Sequence, residues 1–261
     1  MSLPFSPSLL LFVAGAVVVA GGVNGIAGFG FAVVGTMALA TTLDPATAVA
    51  FMILPILGVN VRLAGELSAD EFRTCGRRFA PLLVAATIGT VLGMTLLDRL
   101  PDAILRVGLG VVTLGFVASA QRAVPLSLPA GVTTGRSAET PGAMVAIGGA
   151  SGLLFGATNV GVQLVAYLRS RDLGHELFIG VVALVFLGIN GVRVVAAGVL
   201  GLYADATLLV ASVVAAILAV GGVAIGQRLR PRVGERTRRR FVLGLLTLIG
   251  VRLLVGGLGL V

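Results

Sequence analysis

Gly21-Gly22-Val23-Asn24-Gly25-Ile26-Ala27-Gly28-Phe29-Gly30 lies inside an apolar run, Leu9 to Thr41, that is longer than one membrane crossing requires. A single helical span takes about 20 residues, and this glycine-rich stretch cuts the run in two. A second run, Ala143 to Leu168, is cut in the same way by Gly148-Gly149-Ala150-Ser151-Gly152-Leu153-Leu154-Phe155-Gly156-Ala157-Thr158-Asn159. Two interrupted apolar helices in corresponding places predict an all-α membrane protein, a polytopic helix bundle of two inverted repeats. Each repeat opens with a glycine-broken helix or a re-entrant pair.

Six further apolar stretches surround these two: Ala46 to Val61, Phe79 to Leu97, Ile104 to Ala120, Leu177 to Leu200, Ala206 to Ile225 and Phe241 to Val261. Hydrophobic residues make up 57% of the 261 and charged residues 11%, against about 25% charged in soluble domains. With a mean hydropathy of +1.08, the chain has more apolar surface than one water-soluble core can hide. The opening residues Met1 to Pro7 lack the basic region and cleavage site of a signal peptide, so the first apolar run is expected to stay in the mature protein.

Composition also excludes chemistry. All 19 basic residues are arginine, and without lysine there is no Walker A loop and no Schiff base. One cysteine, Cys75, allows no internal disulfide, and with the single His175 it cannot build a Cys/His zinc site or an iron–sulfur cluster. No metal and no cofactor is expected. The net charge of +8 fits a basic membrane face better than nucleic acid, since the arginines fall between apolar runs.

Residues 124–141, rich in Pro, Ser, Thr and Gly, read as a linker between a first transmembrane repeat, 1–123, and a second, 142–261. Gly25 matches Gly152 at an offset of 127, Asp44 matches Asp172 at 128, and Asn60 matches Asn190 at 130. Gly89-x-x-x-Gly93 matches Gly222-x-x-x-Gly226 at 133, and Arg106 matches Arg240 at 134. If the interrupted opening of each half makes no net crossing, 15 arginines fall on one side and four, Arg99, Arg106, Arg193 and Arg252, on the other. That bias follows the positive-inside rule, inverts one half relative to the other, and turns both termini outward from the cytoplasmic membrane.

A broken helix leaves backbone N–H groups unpaired within the bilayer, and an anion satisfies them. Asn24, Gly25, Gly28 and Gly30 in the first break, with Ser151, Gly152, Gly156, Thr158, Asn159 and Gln163 in the second, are therefore candidate substrate-binding residues. The alternative for the glycines is close helix packing. Asn60 and Arg62, with Asn190 and Arg193, are further candidates, because guanidinium gives an oxyanion two parallel hydrogen bonds; for the arginines the alternative is snorkelling to headgroups. Asp44 and Asp172 have the look of helix N-caps, and with His175 and Glu176 they are the candidates for proton coupling. The Gly89/Gly93 and Gly222/Gly226 pairs read as packing.

These residues together resemble the TauE/SafE family of sulfite and organosulfonate exporters. The resemblance rests on Asn24-Gly25-Ile26-Ala27-Gly28-Phe29-Gly30, Ser151-Gly152-Leu153-Leu154-Phe155-Gly156, Asp44-Pro45-Ala46-Thr47-Ala48, Arg62-Leu63-Ala64-Gly65-Glu66 and the paired glycines, and runs from about Leu9 to Leu254. Where members of the family more often carry a double glycine and a proline, this chain has Ala157-Thr158-Asn159. The resemblance implies export of sulfite, sulfonates or related small anions without ATP. The expected partners are a small anionic substrate and the lipid bilayer, with homo-oligomerisation left open and nucleic acid excluded. The rivals to a secondary transporter are an anion channel, a passive membrane assembly subunit, or an intramembrane lipid-phosphate hydrolase. A hydrolase fits poorly, as all five glutamates lie in or beside loops.

Overall fold

The computed structural model describes residues 7–27, 30–64, 68–97, 99–120, 140–169, 175–203 and 206–259. Gly28, Asp172 and residues 124–139 of the predicted linker lie outside them. The first half holds α1 (Pro7–Ala27), α2 (Phe31–Leu39), α3 (Pro45–Phe51), α4 (Ile53–Ala64), α5 (Ala69–Arg78), α6 (Ala80–Leu97) and α7 (Asp102–Ala120). The second holds α8 (Pro141–Thr158), α9 (Val162–Arg169), α10 (His175–Val199), α11 (Ala206–Leu229) and α12 (Glu235–Gly257).

Five segments are long and apolar enough to cross a membrane: Pro7–Ile26, Pro45–Ala64, Pro141–Thr158, Gly180–Val199 and Ala206–Arg232. Ala80–Leu96 and Leu243–Gly257 are shorter apolar helices. Large apolar side chains such as Leu11, Ile217 and Leu248 point outward from the bundle, a surface that only lipid solvates well. The chain is thus a multi-pass, all-α membrane protein. Between two of its apolar helices, α5 begins with a capping box in which Ser68 and Glu71 bond reciprocally. It turns Cys75 inward and Arg73, Arg77 and Arg78 outward.

Both predicted interruptions are present, each at the far end of its predicted stretch. The first falls between α1 and α2, where Gly30, at φ 100°, precedes the new helix. The second falls after Thr158, where Asn159 is left-handed at φ 59°. Gly25, Gly152 and Gly156 are therefore not in the breaks; they sit inside α1 and α8. Packing is what keeps them helical. A Cβ on Gly152 would meet the Ala86 carbonyl of α6 and lie 2.8 Å from Ala86 Cα. One on Gly25 would lie 2.9 Å from Gly226 Cα of α11. The partners are just as tight: a Cβ on Gly226 would lie 3.0 Å from Gly22 Cα, and one on Gly93 3.0 Å from the Ala157 nitrogen. Small residues at one-turn spacing let the backbones touch.

These contacts show how the halves engage. Helix α1 lies on α11, and its counterpart α8 lies on α6, so each opening helix packs on the paired-glycine helix of the other half. Helix α4 packs on α10, and α7 on α12.

The stretch expected as one helix from Ala46 to Val61 is two, α3 and α4, joined at Met52. Asp44 caps α3, accepting from the Thr47 amide at 2.8 Å, with Pro45 in the first turn. The interruption traces to Pro55, which has no N–H to donate to the Phe51 carbonyl. Ser212 of α11 fills the gap, its hydroxyl donating to that carbonyl at 2.6 Å.

Candidate functional site

Helix α10 carries two polar residues among apolar neighbours, Asn190 and Arg193, three positions apart. That spacing puts both on one face. Both are fully buried, at 0% exposure, and Arg193 is the one charged side chain buried among those described. The Asn190 amide donates to the Phe186 carbonyl at 2.8 Å, which turns its oxygen toward Arg193. Arg193 Nη1 donates to that oxygen at 3.1 Å, and the guanidinium lies 4.8 Å from the centre of the Phe155 ring of α8. The ring face supplies a cation–π contact. Phe155 is itself held at 5.0 Å from the Phe186 ring.

This fixes the guanidinium while leaving half of it unused. Nε and Nη2, the two donors along one edge, have no hydrogen-bond partner among the described residues, and no carboxylate faces them. Isolated charge is expensive at membrane depth, several kcal/mol by any scale. A buried cation whose side-on edge is free has the geometry to receive two oxygens of an anion.

The second break brings further polar atoms, beginning one turn after Phe155. Asn159 follows Phe155 by one turn, its amide bonded to the Phe155 carbonyl at 2.8 Å. Its side-chain nitrogen crosses to the first half, donating to Thr36 Oγ1 of α2 at 2.9 Å and to the Val49 carbonyl of α3 at 3.0 Å. The break of one half is thereby tied to the short helix that follows the break of the other. Asn159 Oδ1, Gln163 Oε1 and the Tyr203 hydroxyl are buried atoms with no hydrogen-bond partner among the described residues. Tyr203 lies in the loop after α10 with Arg193 and Ser212 as polar neighbours. Gly161 lies against the Phe186 ring, which a Cβ there would strike.

The other predicted residues divide around this site. Asn24, Ser151 and Thr158 are buried within or at the end of their helices, and Thr158 Oγ1 donates to the Leu154 carbonyl at 2.6 Å. Gly30 caps α2. Asn60 is buried in α4, yet Arg62 is exposed and donates from Nη2 to Gln227 Oε1 of α11 at 3.0 Å. The expected match between Arg62 and Arg193 fails: Arg62 follows Asn60 by two residues and so leaves its face, whereas Arg193 follows Asn190 by three. Asp44 is an exposed cap, while His175 and Glu176 begin α10. Tyr203, Phe155 and Phe186 were not singled out from the sequence, because nothing in an apolar run distinguishes an aromatic under a guanidinium from one in lipid.

The family model described as Sulfite exporter TauE/SafE matches residues 13–253. The chain belongs to the TauE/SafE family. The match covers both halves and both breaks, so Arg193, Asn159 and the glycine interlock all lie within the TauE/SafE region. Membership makes the protein a membrane transport protein. No curated protein and no solved structure matches the chain.

Proposed function

We propose that this TauE/SafE protein is a secondary transporter that carries small sulfur-containing anions, sulfite, sulfonates or similar, across the cytoplasmic membrane, with Arg193 receiving the anion. The observation that carries the proposal is the free edge of Arg193: a fully buried guanidinium with Nε and Nη2 unpartnered. Leaving such a donor pair unpaired costs stability, and an anion offsets that cost only while it is bound. Family membership supports anion transport.

Residues 1–123 and 142–261 form the two repeats, inverted about an axis in the membrane plane, with both termini outside. The distribution of arginines and the exchanged pairing of α1 with α11 and α8 with α6 support that arrangement. Alternating access then consists of one half rocking against the other around the Arg193 site. Asp172 and His175, near the start of α10, are the proposed proton-coupling groups.

Liposomes holding the purified protein and preloaded with unlabelled sulfite provide the test. Labelled sulfite added outside should accumulate transiently by counterflow, saturably, and Arg193→Gln should lose at least about tenfold of that rate. Flux that rises linearly with sulfite and shows no counterflow would replace the carrier with a channel.

A further inference from the structure

The polar surroundings of Arg193 specify the charge of its ligand. Helices α6 and α8 carry no ionisable residue. Helix α5, which also packs on α10, carries Asp70, Glu71, Arg73, Cys75, Arg77 and Arg78, none of them among the groups that act on Arg193. In α4 the one charge is Arg62, exposed and occupied by Gln227. In α9 the ionisable residues are Tyr167 and Arg169. His175 and Glu176 stand at the opposite end of α10, about 27 Å from Arg193 along the helix axis. Arg228 is exposed at the far end of α11. The titratable neighbour of Arg193 is Tyr203, whose phenol burial pushes above its ordinary range, so it stays neutral near neutral pH.

One buried positive charge with no counter-charge among the described residues is balanced by one negative charge. A dianion would leave the dry site with an excess of charge, which is costly in low dielectric.

We propose that the Arg193 site selects singly charged anions, taking an oxyanion in its monoprotonated form, or a sulfonate, and rejecting the dianion of the same compound. This rests on Arg193 being the anion's receiver, as put forward above.

The test is calorimetric titration of the full chain in detergent with sulfite, methanesulfonate and sulfate from about pH 6 to about pH 8.5. Sulfite loses its second proton near neutrality, methanesulfonate is a monoanion throughout, and sulfate is a dianion throughout. The apparent Kd for sulfite should rise about tenfold per pH unit above that titration, while the Kd for methanesulfonate stays level. Sulfate should bind at least about tenfold more weakly than methanesulfonate. Sulfite affinity that is flat or improves with pH, or sulfate binding as tightly as methanesulfonate, overturns the charge rule. Arg193→Gln separates the two layers. If it abolishes binding of every anion while the wild type accepts dianions, the site stands and the charge rule falls. If it binds as the wild type does, with the same pH profile, the site itself is wrong and the charge rule goes with it. Tyr203→Phe should leave the sulfite pH profile in place; its loss would move the titration from ligand to protein and refute the proposal. Should Arg193→Gln fail to fold, the wild-type pH series decides alone.

Discussion

Adding a single methyl group at Gly152 should loosen the bundle, whereas the same change at Gly149, one turn away on α8, should tighten it. A Cβ on Gly152 would lie 2.8 Å from Ala86 Cα and 2.7 Å from its carbonyl carbon, both backbone atoms of α6. Carbon pairs settle at about 3.5–4.0 Å, so α6 and α8 must part by about 1 Å. That separation strains a well-packed interface by about 1–3 kcal/mol. It also weakens the bond from Thr90 Oγ1 to the Gly152 carbonyl, 3.1 Å across the same interface, worth about 1 kcal/mol. The combined loss of about 2–4 kcal/mol corresponds to a melting temperature lower by about 5–15 °C for a chain of this size. A Cβ on Gly149 meets nothing within 4 Å, and replacing a helical glycine by alanine gains about 0.5–1 kcal/mol. Thermal unfolding in detergent, followed by circular dichroism or a thiol-independent dye, reads both. Equal shifts for the two variants, or no shift for Gly152→Ala, would refute the close approach of α6 and α8.

Further outcomes follow from the same interior. Arg193→Met should raise the melting temperature by the equivalent of about 1–4 kcal/mol, because it removes an unbalanced buried charge, while abolishing anion binding. A lower melting temperature would show that the guanidinium is structurally satisfied. Ser212→Ala orphans the Phe51 carbonyl left free by Pro55 and should cost about 1–3 kcal/mol; an unchanged melt would mean that water fills the place. Cys75 is buried and its thiol pKa is raised, chiefly by burial and only partly offset by Arg78. The neutral thiol therefore persists above the usual cysteine range. Maleimide labelling near pH 7 should be slow in the folded protein, rise with pH, and become fast on denaturation; fast labelling of the folded protein at pH 7 would place Cys75 in water.

Much of the fold was legible because the bilayer restricts it. Long apolar runs and few charges left little besides a polytopic helical bundle, and the first interruption follows from a run too long for one crossing. The positions of the two breaks were not legible from glycine content. Gly25 and Gly152 have the lowest local preference for helix short of proline, yet α11 and α6 press against them and hold them helical, so tertiary contact overrides propensity. A left-handed Gly30 precedes α2, and what ends α8 is the left-handed Asn159, which reads locally as an ordinary polar position. Arg193 was visible as a candidate, but the comparison with Arg62 hid its distinction. Counting spacing from the shared asparagine, three residues against two, separates a buried partner from an exposed one without any structure. The aromatic platform of Phe155 and Phe186 depends on how α8 and α10 meet, and no local pattern announces it.

The role of Arg193 as the anion's receiver is tested most directly by binding affinity in three proteins. Calorimetric titration of methanesulfonate into the wild type, Arg193→Lys and Arg193→Gln compares a planar two-donor edge, a point charge and no charge at the same place. Affinity should fall in that order, by about tenfold for lysine and at least about a hundredfold for glutamine. Equal affinity in all three would contradict the assignment and leave the buried guanidinium without a ligand.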